Sequence, residues 1–397
     1  VRGLIGAFLA ILLLASGCTT IKDGATSAVV GVTDYLAGED NVDLPKELLP
    51  LDPQIEVTTL WKESVGDGGG EQRVALVPAL FYDKIVAADR KGIVNAYKLE
   101  DGELLWEVET ELLLSGGPGV GDGTVIIGTS DGQVIALSEE DGSELWRVQV
   151  TSEVLAVPQV AHGIVIIRTV DGRISGLNEI DGQQIWFYDR AVPALSLRGT
   201  STPVVLRDIV IDGYASGKLV ALRLNDGRVG WEVSIATPSG RTELDRIVDI
   251  DADPVIAGDV IYIASYHAGI TAMSLGTGEL LWNRREISSF AGMDAGWRYL
   301  FVTDEKSNIW ALDLDNGATV WKQDELQNRQ LTAPAIHDDY FVVGDYEGYL
   351  HWFSQDDGRE VARLEIDGEG IFVKPVVESD VLYAYGKGGI LAAVSIQ

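Results

Sequence analysis

Residues 311–321 read Ala311-Leu312-Asp313-Leu314-Asp315-Asn316-Gly317-Ala318-Thr319-Val320-Trp321, and this stretch decides the fold. It is a short apolar strand, a turn on Asn-Gly, and a second strand with a tryptophan four residues after the glycine. The same phrase recurs along the chain. Its turns are Asp101-Gly102, Asp141-Gly142, Asp181-Gly182, Asp226-Gly227, Thr277-Gly278, Asn316-Gly317 and Asp357-Gly358. The tryptophan follows in the first six copies, as Trp106, Trp146, Trp186, Trp231, Trp282 and Trp321, and the seventh has Ala362 there. An eighth copy reaches Gln397 before its turn. The tryptophan it lacks stands at the other end, as Trp61 in Val57-Thr58-Thr59-Leu60-Trp61. A ring closed by its own N-terminal strand explains this offset.

From Trp61 onward the tryptophans are separated by 45, 40, 40, 45, 51 and 39 residues. Each unit reads as four short strands rich in Val, Ile, Leu and aromatics and bounded by Gly or Asp-Gly. In the first copy these fall near 74–79, 84–88, 92–98 and 103–108. A period of about 40–45 with four strands per unit is the mark of propeller blades. The reading is therefore all-β: an eight-bladed β-propeller of four-stranded antiparallel blades over 56–397, its last blade completed by the strand at 57–63. The third strand carries a small residue at its middle, as in Ile135-Ala136-Leu137 and Ser175-Gly176-Leu177. That leaves room for a large side chain, expected to be the tryptophan of an adjacent blade. Blade seven reverses the sizes, with Trp352 and Ala362, a local swap. Core packing accounts for all of these tryptophans. The Asp-Gly turns suit type I′ hairpins, which need positive φ at both central residues.

The 397 residues carry a formal net charge of −31. That excludes nucleic acid as a partner, since phosphate neutralisation needs clustered Lys and Arg. The acids are scattered, as on a solubilising surface, and fit either a saline habitat or a basic partner. The single cysteine, Cys18, permits no internal disulfide.

Cys18 stands in an informative place. Arg2 precedes an apolar run from Leu4 to Leu14, too short to span a bilayer and fitting a secretory signal. Leu14-Ala15-Ser16-Gly17-Cys18 resembles the bacterial lipobox, which implies a signal peptide over 1–17 and lipidation of Cys18. Thr19 rather than Asp follows, which implies delivery to the outer membrane. Residues 18–55, with Pro45, Pro50 and Pro53, read as a lipidated N-terminus and flexible tether. Several acyl chains would anchor it stably.

A search for chemistry yields little. His162, His267, His337 and His351 have no metal-ligand spacing and read as surface or packing residues. There is no Gly-x-Ser-x-Gly elbow and no phosphate-binding Gly-Lys-Ser/Thr loop. Gly117-Pro118-Gly119-Val120-Gly121 is expected to be the first strand of a blade. Asp249, Asp251 and Asp253 alternate as in a calcium loop, but Pro254 stands where its glycine belongs and Val260 where its glutamate belongs. No catalytic residue, cofactor site or metal site is assigned.

The Ala-Leu-x-x-x-x-Gly-x-x-x-Trp pattern of Ala311 to Trp321 resembles the tryptophan-docking motif of the pyrroloquinoline-quinone propellers. Within that superfamily, the lipobox followed by a compact eight-bladed ring is similar to the BamB family, lipoproteins of the outer-membrane β-barrel assembly machine. Two segments carry the resemblance furthest. They are Leu195-Ser196-Leu197-Arg198-Gly199 and the stretch from Thr242 to Asp251. The resemblance implies a non-enzymatic scaffold at the periplasmic face of the outer membrane. It would bind the periplasmic domains of BamA through Leu195, Leu197, Arg198, Asp249 and Asp251 and assist unfolded outer-membrane proteins. The loops can also be read alone. Residues 190–200 and 234–250 are equivalent joins between successive blades, so they emerge on one face, and the widest repeat spacings flank them. Long loops on rigid rings carry binding sites. A small quinoprotein dehydrogenase is the alternative, but the chain is short for one and lacks the vicinal cysteine pair many possess. A propeller taking glycan or peptide in its channel is a third reading.

Overall fold

The computed structural model describes residues 43–70, 74–191, 193, 201–236 and 248–396. Cys18, Leu195, Leu197 and Arg198 lie outside them. From Pro45 onward the chain forms one unit, and no helix occurs among the described residues. Its sheets are eight antiparallel blades in a ring. Blades 1 to 7 span Ala79–Glu109, Leu114–Gln149, Gln159–Asp189, Val204–Ser234, Val255–Arg284, Gly292–Gln323 and Ala335–Glu365. Blade 8 combines Val376–Ile396 with Val57–Ser64 as its outer strand. First strands of neighbouring blades touch round the axis. The middle strands are covered on both faces by adjacent blades, so Lys84–Ala88 and Ile93–Lys98 are almost wholly buried. Outer strands alternate buried and exposed, as in Leu104–Glu109.

The seam lies where the repeat offset places it. Val57 pairs with Ile396 and Ser64 with Ile390, the register slipping between Thr59 and Trp61. Trp61 is buried against Tyr383, with ring centroids 5.9 Å apart, and Tyr97, at 6.5 Å. Gly117–Gly121 does belong to a first strand, Leu114–Gly121. The first strand of blade 1, however, is Ala79–Phe81 and not 74–79. Pro78 has no N–H to donate and ends the apolar run early. Ala75 and Leu76 instead run parallel to Gly116 and Gly117 of blade 2.

Two further expectations change in detail. The Asp-Gly turns are not type I′: Gly102 and Gly317 have φ of 75° and 70°, while Asp101 and Asn316 keep negative φ. Each is a four-residue loop. Gly102 N–H donates to Lys98 O at 3.0 Å, and Asp101 Oδ1 accepts from Glu103 N–H at 3.1 Å. The aspartate is used for this side-chain turn rather than for its tolerance of positive φ. The glycine is needed twice over. A Cβ on Gly102 would lie 2.8 Å from the Trp61 ring, and one on Gly317 would lie 2.6 Å from the Trp282 ring. Each tryptophan thus docks on the turn of the next blade, and Trp61 and Trp282 donate their indole N–H to Leu99 O at 3.0 Å and Leu314 O at 2.9 Å. The small third-strand residue makes room within its own blade, not for an adjacent one. Ala96 pairs directly with Trp106 and Gly176 with Trp186, and a Cβ at Gly176 would run into the Trp186 ring.

Blade 7 swaps sizes across one pair, Trp352 against Ala362. Trp352 is fully buried and donates from Nε1 to His337 Nδ1 at 3.2 Å. That leaves the His337 proton on Nε2, which donates to Asp380 O of blade 8 at 3.0 Å.

Blade 7 also holds a buried charge network. Arg329 donates to Asp345 Oδ2 from Nε at 2.8 Å and from a terminal nitrogen at 2.6 Å, and also meets Glu347. His351 lies between two carboxylates, with Nε2 3.1 Å from Asp345 Oδ2 and Nδ1 2.7 Å from Glu360 Oε1. Arg363 closes on Glu360 at 2.7 and 2.9 Å. Residues 45–55, which the sequence placed in the tether, lie against this network. Arg329 donates to Lys46 O at 3.0 Å and Arg363 to Leu49 O at 3.3 Å. Lys46 N–H donates to Gln327 O at 3.0 Å and Gln54 N–H to Val361 O at 2.8 Å.

Candidate functional site

Outer strands of blades 3 and 4 end at Asp189 and Ser234, and the next first strands begin at Val204 and Val255. Both joins therefore leave the same face of the ring. Their described ends are tied together. Ser201 Oγ donates to Ile250 O at 3.1 Å, and Thr202 N–H donates to Asp253 Oδ1 at 2.6 Å. Arg168, at the end of strand Ile164–Arg168, reaches beneath them to Ser201 O at 3.0 Å, to Ser201 Oγ, and to Asp212 Oδ1 at 3.1 Å. Tyr266 N–H donates to Asp249 O at 2.9 Å, and Ser265 Oγ to Val248 O at 3.0 Å. The sequence reading names Asp249 and Asp251 from one join and Leu195, Leu197 and Arg198 from the other. The structure brings the two aspartates beside the Ser201 end of that second join. The three loop residues lie outside the described part.

The two aspartates occupy different layers. Asp249 is 1% exposed, whereas Asp251 is half-buried and lines the axial cavity. Both Asp251 carboxylate oxygens lie buried, with no hydrogen-bond partner among the described residues. Burial, then the charge of Asp249, pushes Asp251 up to about 7, against a weaker pull from Arg168. Asp212 is pushed up to about 6, again by burial first, with Arg168 opposing. Arg168, Ser201 and Asp212 escaped the sequence reading. Their only signal is that Arg168 and Asp212 are the single charges in strands otherwise of Val, Ile and Gly.

The carboxylates have a measurable cost. A raised folded-state pKa stabilises the fold below about pH 4 and withdraws that stability as pH rises through about 6–7. Asp251→Asn removes the buried charge and is expected to raise stability at pH 8 by about 1–3 kcal/mol. Denaturant melts at pH 5 and pH 8 check it, and an equal gain at both pH values contradicts the assignment.

The axial cavity measures about 540 Å³ and is lined from several blades, by Gln159, Val204, Val255 and Met293 among others. Its wall is largely apolar. Lys374, at one side, is paired with Asp294 Oδ2 at 2.9 Å. Among the described residues no group of three His, Cys, Asp or Glu side chains is placed to hold a metal ion. In the calcium-like trio, the Asp253 carboxylate is committed to Thr202 N–H. His351, in blade 7, is held between Asp345 and Glu360.

Known proteins with this sequence and architecture give the fold a family. The pattern of the family described as "Outer membrane protein assembly factor BamB" matches residues 90–323. A Pseudomonas aeruginosa protein of that name is 48% identical over 353 residues, covering 89% of this chain and 93% of its own. The crystal structure of BamB from Moraxella catarrhalis superposes with a TM-score of 0.78 at 26% identity, covering 86% of this chain and all of that one. A quinohemoprotein alcohol dehydrogenase from Comamonas testosteroni superposes with a TM-score of 0.66 at 12% identity, over 85% of this chain and 76% of that one, a likeness of fold alone. With its eight blades, seven of them carrying a docking tryptophan, its N-terminal seam and this degree of identity, the chain belongs to the BamB family of outer membrane protein assembly factors.

Proposed function

We propose that this chain is a non-enzymatic scaffold of outer-membrane protein assembly, tethered by lipid on Cys18 to the periplasmic face of the outer membrane. It would hold the periplasmic domains of BamA on the face where the two long joins meet. The observation carrying this reading is the link between the joins, Ser201 Oγ to Ile250 O at 3.1 Å. It ties the join that carries Asp251 to Ser201, three residues beyond Arg198 in the sequence. Leu195 and Leu197 supply apolar anchors, and Arg198 meets a partner carboxylate or carbonyl. Asp251 keeps both carboxylate oxygens buried and supports the join rather than reaching the partner. Asp249, being buried, acts by positioning the join rather than by touching the partner. Unfolded outer-membrane proteins would meet the scaffold while it is held on BamA.

The test is binding of the purified periplasmic domains of BamA from the same organism to the soluble chain. Leu197→Asp buries a charge at the interface and is expected to weaken binding by about 100-fold or more. Arg198→Ala is expected to cost about 10–100-fold. Arg359→Ala, on an exposed turn of blade 7, serves as the distant control. Melting temperatures of all three should stay near that of the unaltered chain. Binding indifferent to both loop changes, with the fold intact, removes the site. Mass spectrometry of the mature N-terminus decides the anchor separately, and an unmodified Cys18 removes it.

A further inference from the structure

Blade 7 breaks the repeat at adjacent points, and one cause covers them. Ala362 replaces the docking tryptophan. Val361 is 3% exposed, where the residues before the tryptophan in other blades, Leu105, Leu145 and Ile185, are 42, 50 and 48% exposed. Arg363 turns inward to Glu360. Over these positions lies the segment 45–55. Its Ile55 packs on the cluster containing Val361, Ala362 and Ile366, and its Leu48 on the cluster containing Leu326 and Leu331. Its backbone is gripped at Lys46 O by Arg329, at Leu49 O by Arg363, and at Gln54 N by Val361 O. The outer edge of blade 7 is thus shaped as the seat of the chain's own N-terminal strap.

The order of these contacts along the chain has a mechanical meaning. Tension arriving from ahead of Pro45 meets Lys46, then Leu49, then Gln54. Only after these does it reach Val57–Ser64, the strand that closes the ring. Without the strap, the same tension would act directly on the Val57–Ile396 end of the seam and unzip it pair by pair. We propose that the strap on blade 7 is a strain relief, which diverts tension from the N-terminal anchor into blades 6 and 7 and so keeps the ring closed. The purpose rests on the anchored reading of Cys18; the mechanics do not.

The experiment applies a constant low force to single molecules of the non-lipidated chain, in which Cys18 is the only native thiol. The second attachment is Ile180→Cys, on a turn of blade 3 where the side chain is 86% exposed. The test variant is Gln54→Pro with Arg363→Gln, which removes the donors to Val361 O and Leu49 O and leaves Arg329 and Asp345 untouched. Loaded through Cys18, this variant should open its ring about tenfold faster than the unaltered chain, the factor expected for losing one or two such bonds. Loaded instead through Ser64→Cys in a Cys18→Ser background, beyond the strap, the same two changes should leave the opening rate as it was. Equal rates through Cys18 overturn the proposal. A rise through both attachment points overturns it too, since that is plain loss of stability. If the double variant does not fold, Arg363→Gln alone decides, with about threefold expected through Cys18 and none through Ser64. An unlipidated Cys18 in cells would change the purpose and leave these rates unaffected.

Discussion

A chain that starts at residue 65 is expected to aggregate, or to melt well below the full-length protein. The truncation removes Val57–Ser64, and with it the outer neighbour of the strand Ile390–Ile396, which keeps only Val381–Tyr385 on its inner side. Trp61 goes too, leaving Tyr97, Tyr383 and Leu391 without cover. Burying one tryptophan removes about 150–250 Å² from water, or about 4–6 kcal/mol. That alone rivals a typical folding free energy of about 5–15 kcal/mol. The truncation also turns Ile390–Ile396 into an exposed edge, an invitation to pair with another molecule. Circular dichroism melting with light scattering measures both effects. A truncated chain that melts like the full ring and stays monodisperse contradicts the seam.

Asp345→Ala should be nearly as damaging from a single side chain. Asp345 is completely buried and faces Arg329 and His351. Removing it leaves the buried guanidinium of Arg329 with Glu347 as its remaining carboxylate, a loss that costs up to about 3–5 kcal/mol. The pH dependence carries its own signature. Burial works to raise Asp345, but hydrogen bonding and charge from His351, with help from Arg329, hold it below the usual carboxylate range. Glu360 is likewise held down by His351 and Arg363 against its burial. Depressed carboxylates stabilise the fold above about pH 4 and give up that stability as pH falls through their folded values. Asp212 and Asp251 do the reverse, favouring the fold in acid and losing that contribution toward about pH 6 and 7. Stability measured by urea melts should therefore fall steeply below pH 4, and Asp345→Ala should flatten that fall. An unaltered acid limb in Asp345→Ala would contradict the network.

The sequence showed blade number, seam and the tryptophan repeat because each rests on local spacing. Gly and Trp at fixed distance report a contact between neighbouring blades that recurs round the ring. What it hid depends on side chains meeting across strands. Asp345, His351 and Glu360 come together through the pairing of Tyr349–Ser354 with Glu360–Glu365, which no local spacing announces. The strap at 45–55 was invisible for another reason. Extended chain lying on a blade edge has neither period, and its three prolines read as linker. Pro78 misled in the opposite direction, because an apolar run before it looked like the first strand of blade 1. At the candidate site, the adjacency of the two joins followed from propeller topology. The burial of Asp249 did not, since alternation along an extended segment says which residues share a face but not which face is covered.

The seam also sets a schedule. Val57, the first propeller residue to leave the ribosome, must wait for Ile396, 339 residues later. Seven blades can pair from residues close in sequence, each within about 30 residues, as such local contacts form quickly. The eighth cannot exist until residue 396 has arrived. Until then Trp61 and the strand around it are an unsatisfied apolar end, open to holding by a chaperone or to capture by another chain. The slow phase of folding should therefore track delivery of the chain rather than formation of the blades.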